Sequence, residues 1–189
     1  GNFALISGIN PQQFTTWMWN SFIDAAEWVV VCDQIDQLKI DKITVDSKAF
    51  WNNDGIDIVD CKNVLISNSY IDSSDDAICF KSHDATKMCE NVEVRNCVAR
   101  SSANGIKFGT VTSGGYKNFK IINNKIFDTY RSAITIATPD GGLVENIFVD
   151  SLFAYNTGNA IYFRIGARWN KGRTGSMKGI TIQNMFCEI

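Results

Sequence analysis

A repeat constrains this chain more than any other feature. A turn residue, an apolar residue, any residue and a second apolar residue, closed by Asn or Ser shortly after, return about every 28 residues. The copies read Asn63-Val64-Leu65-Ile66-Ser67-Asn68, Asn91-Val92-Glu93-Val94-Arg95-Asn96 and Asn118-Phe119-Lys120-Ile121-Ile122-Asn123-Asn124. Two more follow, Asn146-Ile147-Phe148-Val149-Asp150-Ser151 and Gly179-Ile180-Thr181-Ile182-Gln183-Asn184. A second short strand recurs between them: Gly55-Ile56-Asp57-Ile58, Ala77-Ile78-Cys79-Phe80, Gly105-Ile106-Lys107-Phe108, Ala133-Ile134-Thr135-Ile136 and Ala160-Ile161-Tyr162-Phe163. Such short alternating strands at so short a period describe the coils of a solenoid, in which equivalent residues stack in columns.

The expected fold is all-β, a right-handed single-stranded parallel β-helix. Val64, Val92, Phe119, Ile147 and Ile180 form one interior column, and Ile66, Val94, Ile121, Val149 and Ile182 another. Asn68, Asn96, Asn124 and Asn184, with Ser151, fall at one bend, where Asn tolerates left-handed backbone and stacked amides bond to one another. A β-sandwich would not repeat the same residue types in columns, and an α-solenoid would need a 3.6-residue period. The chain starts at Gly1 and stops at Ile189 just after a repeat strand, so the solenoid is expected to be incomplete at one or both ends. The coils are assigned to residues 31–189. Residues 1–30, with Phe14, Trp17, Trp19, Phe22 and Trp28, are expected to be an aromatic-rich segment or the remnant of a cap.

Composition narrows the partners. A formal charge of −2 argues against nucleic acid, and no apolar run approaches a membrane span. No signal peptide opens the sequence. Of the six cysteines, Cys61 and Cys89 share a column with Ile35, Tyr116, Val144 and Met177, which predicts buried, reduced thiols. No CxxC pair suggests zinc.

Chemistry concentrates at the entry to the second strand. There the columns read Asp54, Asp76, Asn104, Ser132 and Asn159, and Asp75 adjoins Asp76. The outward columns, Asp57, Cys79, Lys107, Thr135, Tyr162 and Val59, Lys81, Gly109, Ala137, Arg164, are expected to face solvent. Three carboxylates on coils about 4.8 Å apart repel, and such crowding raises one pKa while its neighbours stay ionised, as glycosidic hydrolysis requires. The same three could instead ligate Ca²⁺. His83 is read as a surface residue.

Asn52-Asn53-Asp54-Gly55-Ile56-Asp57-Ile58 resembles the Asn-Thr-Asp-Gly motif of glycoside hydrolase family 28, the polygalacturonases and related pectin hydrolases. Ser74-Asp75-Asp76-Ala77-Ile78-Cys79-Phe80-Lys81-Ser82 resembles that family's Gly-Asp-Asp motif. The resemblance, covering residues 28–189, implies a pectin lyase-like β-helix and an inverting O-glycosyl hydrolase. Asp75 would be the general acid, with Asp54 and Asp76 activating water across a gap of roughly 6.5–9.5 Å. It also implies a secreted or periplasmic protein acting as a monomer on a polysaccharide or oligosaccharide, with neither cofactor nor metal. Asn52, Asn104, Lys107, Arg164, Arg168 and Trp169 are the expected substrate-binding residues.

Two motifs depart from the family. Its Gly-His-Gly falls on Ala103-Asn104-Gly105, and its Arg-Ile-Lys on Thr135-Ile136-Ala137, so the histidine and both carboxylate-gripping cations are missing. An α-linked galacturonan or rhamnogalacturonan, decorated or partly neutral, is the expected substrate. A Ca²⁺-dependent polysaccharide lyase and a non-catalytic carbohydrate-binding β-helix are the alternatives.

Overall fold

The computed structural model describes residues 4–7, 15–18, 20–168 and 172–188. Among these there is no α-helix, hence none long and apolar enough to cross a membrane. The chain winds through three parallel sheets in turn, forming a β-solenoid as the repeat predicts. The first sheet stacks Ala4–Ser7, Val30–Asp33, Ile56–Val59, Ile78–Ser82 and Ile106–Thr112, then the ends of Gly115–Thr138 and Leu143–Ile165. The second stacks Thr15–Met18, Asp36–Asp41, Lys62–Ser67 and Cys89–Arg95, the starts of the same two long strands, and Ser176–Gln183. The third runs from Ser21–Ile23 through Thr44–Ser47, Tyr70–Ser73 and Val98–Ser101 to Phe186–Glu188. The backbone ladder thus already includes Ala4–Ser7, Thr15–Met18 and Ser21–Ile23.

The register places the apolar columns as expected. Val64 pairs with Val92, Val92 with Phe119, Phe119 with Ile147 and Ile147 with Ile180. Ile56, Ile78, Ile106, Ile134 and Ile161 make the matching column of the first sheet. Where the two inner faces meet, Phe119 packs against Phe80 and Phe108 with ring centroids 4.9 and 4.8 Å apart, a geometry that favours edge-on aromatic contact. Cys61 and Cys89 are fully buried, and all six cysteines are free.

The bends are built from amides, with one difference from expectation. Asn68, Asn96, Asn123, Ser151 and Asn184 have positive φ, from 49° to 55°. Asn96 Nδ2 donates to Asn68 Oδ1 at 3.4 Å, and Asn123 Nδ2 to Asn96 Oδ1 at 2.8 Å. The third rung is therefore Asn123, not Asn124. Asn124 points inward, accepting from Cys97 N and donating to the carbonyls of Val94 and Ile122. A second ladder, Asn63–Asn91–Asn118–Asn146, runs at the opposite end of the second-sheet strands with amide bonds of 3.0 to 3.2 Å.

The outward columns of the first sheet do not face solvent. Asp57 and Cys79 are fully buried, and Val59, Lys81, Lys107, Thr135 and Ala137 nearly so. Only in the last coil, at Tyr162 and Arg164, does the column open. Trp28 lies over Lys81, its ring centroid 4.4 Å from Nζ. A polar residue so buried needs a partner, and these find partners in one another.

Candidate active site

The entry turns of the first sheet hold the carboxylates in register. Gly55 N donates to Asp76 O, Ala77 N to Asn104 O and Gly105 N to Ser132 O, each at 2.9 to 3.0 Å, so Asp54, Asp76, Asn104 and Ser132 stack coil on coil. Glycine follows Asp54 because the coil is tight. A Cβ on Gly55 would lie 2.4 Å from Ile71 Cγ2 and 2.5 Å from Ala77 O. Asn53, wholly buried, pins the preceding loop: its amide donates to the carbonyls of Ala25 and Glu27, and its Oδ1 accepts from Ser47 Oγ and Phe50 N.

Oxygens of Asp54, Asp75 and Asp76 lie within 4.8 Å of one another. That is tighter than the separation of roughly 6.5–9.5 Å expected for inversion, because adjacent coils fix it near the strand spacing. The three environments differ. Asp54 is almost fully buried and accepts from Lys81 Nζ at 2.6 Å. The same ammonium donates to Asp57 Oδ1 at 2.5 Å and to Cys79 Sγ at 2.9 Å. Burial, then the charge of Asp57, pushes Asp54 up to about 8, and burial raises Asp57 as well. Two carboxyls share one buried ammonium here, so one of them is driven to hold a proton.

Asp76 is gripped on both oxygens. Oδ1 accepts from Asn104 N and Nδ2 at 3.1 and 2.5 Å, and Oδ2 from Lys107 Nζ at 3.2 Å. Thr135 Oγ1 donates to Asn104 Oδ1 at 2.8 Å. The residues standing where family 28 has His and the first cation thus form a neutral relay onto Asp76. Asp75 differs again. Ser73 and Ser101 hydroxyls clamp its carbonyl, while its carboxyl, half-buried, accepts from Asp76 N. Burial, and then the charge of Asp76, raises its pKa.

Two clefts that share Arg131 lie beside this cluster, and of the three carboxylates Asp75 lines one of them. One, of about 340 Å³, holds Asp75 with Trp51, Asn52 and Arg131 on its walls. The other, of about 310 Å³, is lined by Asn104, Lys107, Arg131, Tyr162 and Arg164. Of the expected substrate-binding residues, Asn52 and Arg164 are exposed at these clefts, whereas Asn104 and Lys107 are buried against Asp76. Arg164 pairs in register with Ala137, the position of the missing second cation. Arg168 is committed elsewhere, donating from Nε and Nη2 to the two oxygens of Asp140, both at 2.7 Å. Trp169 lies outside the described residues. His83 is exposed. Sequence reasoning passed over Lys81, Asn53, Trp51 and Arg131. For Lys81 the signal was present, since the adjacent outward column carries Asp57 and Cys79, and Cys79 lies two residues before Lys81.

Stacked parallel coils with Asp75 in a cleft across them make a β-solenoid with an acidic site, and comparisons with known proteins give its class. The sequence pattern described as glycosyl hydrolases family 28 matches residues 20–147, and the chain belongs to that family. Its fold resembles that of the hyperthermoactive exopolygalacturonase from Thermotoga maritima, with a TM-score of 0.77 at 24% identity over 88% of this chain and 40% of that one. It also resembles the polygalacturonase from Erwinia carotovora ssp. carotovora, with a TM-score of 0.66 at 16% identity over 89% of this chain and 49% of the other. The chain therefore spans less than half the length of either protein. No curated protein matches the sequence.

Proposed function

We propose that this chain carries the catalytic cleft of a hydrolase that cleaves an α-linked pectic polysaccharide or oligosaccharide, of galacturonan or rhamnogalacturonan type. The observation that carries the reading is the convergence of Asp54, Asp75 and Asp76 within 4.8 Å, with Asp75 open to a cleft. Asp75 serves as general acid: it is the reachable carboxyl of the three, and its raised pKa keeps the proton available.

Asp54 and Asp76 direct water to the anomeric carbon. Direct attack by either carboxylate is disfavoured, because both are about 95% buried and already bonded to Lys81 and to Asn104 and Lys107. A single water donating two hydrogen bonds of about 2.8 Å fits between carboxylate oxygens this close. Inversion follows if water attacks directly, and the anomer released first, read by proton NMR, distinguishes it from retention.

With Lys107 committed to Asp76 and Thr135 to Asn104, the second cleft keeps Arg164 but not the pair of cations that the family motif would place there. Plain polygalacturonan is therefore expected to be a poorer substrate than a polymer with neutral or esterified units. The test is incubation of the chain, and of any longer parent, with a panel of pectic polymers with and without chelator. New reducing ends without unsaturated sugars support the hydrolase. Unsaturated, chelator-sensitive products would indicate a lyase, and binding without products a carbohydrate-binding solenoid.

A further inference from the structure

Arg131 stands where the two clefts meet; its guanidinium forms no hydrogen bond or salt bridge among the described residues, though its charge reaches Asp75 and opposes the rise in that pKa. Its backbone is fixed, with N donating to Ala103 O at 2.8 Å and O accepting from Asn159 Nδ2 at 3.2 Å. A planar fork on an anchored backbone, open to solvent, is suited to a carboxylate. The other cation in the Asp75 cleft, Lys48, is already paired with Asp46 and Asp72.

The same cleft carries Trp51, 94% exposed. A lone surface aromatic means little. This one lines a concavity that also holds the proposed general acid, and its loop is pinned by the buried Asn53 amide and by Ser74 Oγ bonded to Phe50 O. A rigid indole with two side-chain torsions offers a large apolar face at low entropic cost, matching the C–H face of a pyranose.

We propose that the Asp75 cleft is a sugar subsite in which Trp51 stacks on a pyranose ring and Arg131 pairs with that sugar's carboxylate. The chemical class it takes is a uronosyl unit. The assignment rests on the glycosidase reading and adds the residues that select an acidic sugar beside the acid. Neither side chain supports the fold, so both can be replaced without unfolding the chain.

The experiment is calorimetric binding of trigalacturonic acid and of its methyl ester to the chain and to Trp51→Ala, Arg131→Gln and Arg131→Lys, with reducing-end release measured in parallel. Arg131→Gln should weaken the acid about 10-fold or more while leaving the ester within about twofold, and Arg131→Lys should recover part of the loss. Trp51→Ala should weaken acid and ester alike, by about 10-fold. Equal binding of the acid by all four proteins overturns the subsite, and leaves the hydrolase reading standing if reducing ends still appear. A charge-selective loss in Arg131→Gln without any turnover by the parent supports the subsite and removes the hydrolase reading instead. Failure of the parent to bind either trimer overturns the subsite outright.

Discussion

The ammonium of Lys81 lies 2.6 Å from Asp54 Oδ2, so the aspartate heading the first motif is balanced by a buried side chain and not by solvent. Asp57, with one oxygen on Lys81 and the other, Oδ2, without a partner among the described residues, shares that single charge. Burial opposes the charge on Lys81, but the sulfur of Cys79 and the carboxylates of Asp57 and Asp54 outweigh it and raise its pKa. The cluster is thus one cation under two acids, covered by Trp28.

Replacing Lys81 by Met should expose that dependence. Removing one member of a buried pair costs about 3–5 kcal/mol when the other stays charged. Asp54 and Asp57 can take up protons, so the loss should be smaller at pH 5 than at pH 9. Urea unfolding at both pH values checks this, and midpoints equal to the parent's would contradict it.

Asp54 should also leave a mark on stability against pH. Its folded pKa of about 8 lies above the ordinary 3.8. Its contribution is therefore fully present below about pH 4 and is lost as pH rises through about 8. The parent's melting temperature should fall over that window, and Asp54→Asn should flatten the fall. A melting temperature that rises between pH 5 and 8 would show the sign to be wrong.

Thiol reactivity tests the interior columns. Burial holds Cys61 up to about 12, and Cys79 and Cys89 far above the usual thiol value, so their nucleophilic thiolates are scarce. Five of the six cysteines are buried and Cys187 is partly exposed. A thiol reagent should label one cysteine quickly in the native chain and six in denaturant. Rapid native labelling of three or more would mean the columns are open.

The interior was legible because strand alternation and a fixed period are both written in the apolar residues. Val64, Val92 and Phe119 could be stacked from spacing alone. Asn123 was missed in favour of Asn124 because adjacent Asn residues look alike in sequence, while only the left-handed one can join the ladder. The outward columns were misread for a different reason. Periodicity tells which face a residue takes, not what covers that face, and over Lys81 the cover is Trp28. The carboxylate triad was legible through its motifs. Its spacing was not, since coil stacking decides it. Trp51 sits in a turn, and Arg131 lies where the long strand Gly115–Thr138 shifts register between Thr129 and Ser132, so no column singles either out.

Asp75→Asn tests the central claim most directly. The change keeps the size of the side chain and leaves the serine clamps on the Asp75 carbonyl intact, but it removes the transferable proton. On whichever pectic polymer the parent cleaves, turnover should fall by about 10²–10⁴-fold with the melting temperature within a few degrees and oligosaccharide binding retained. Turnover equal to the parent's in a folded Asp75→Asn chain would contradict the account.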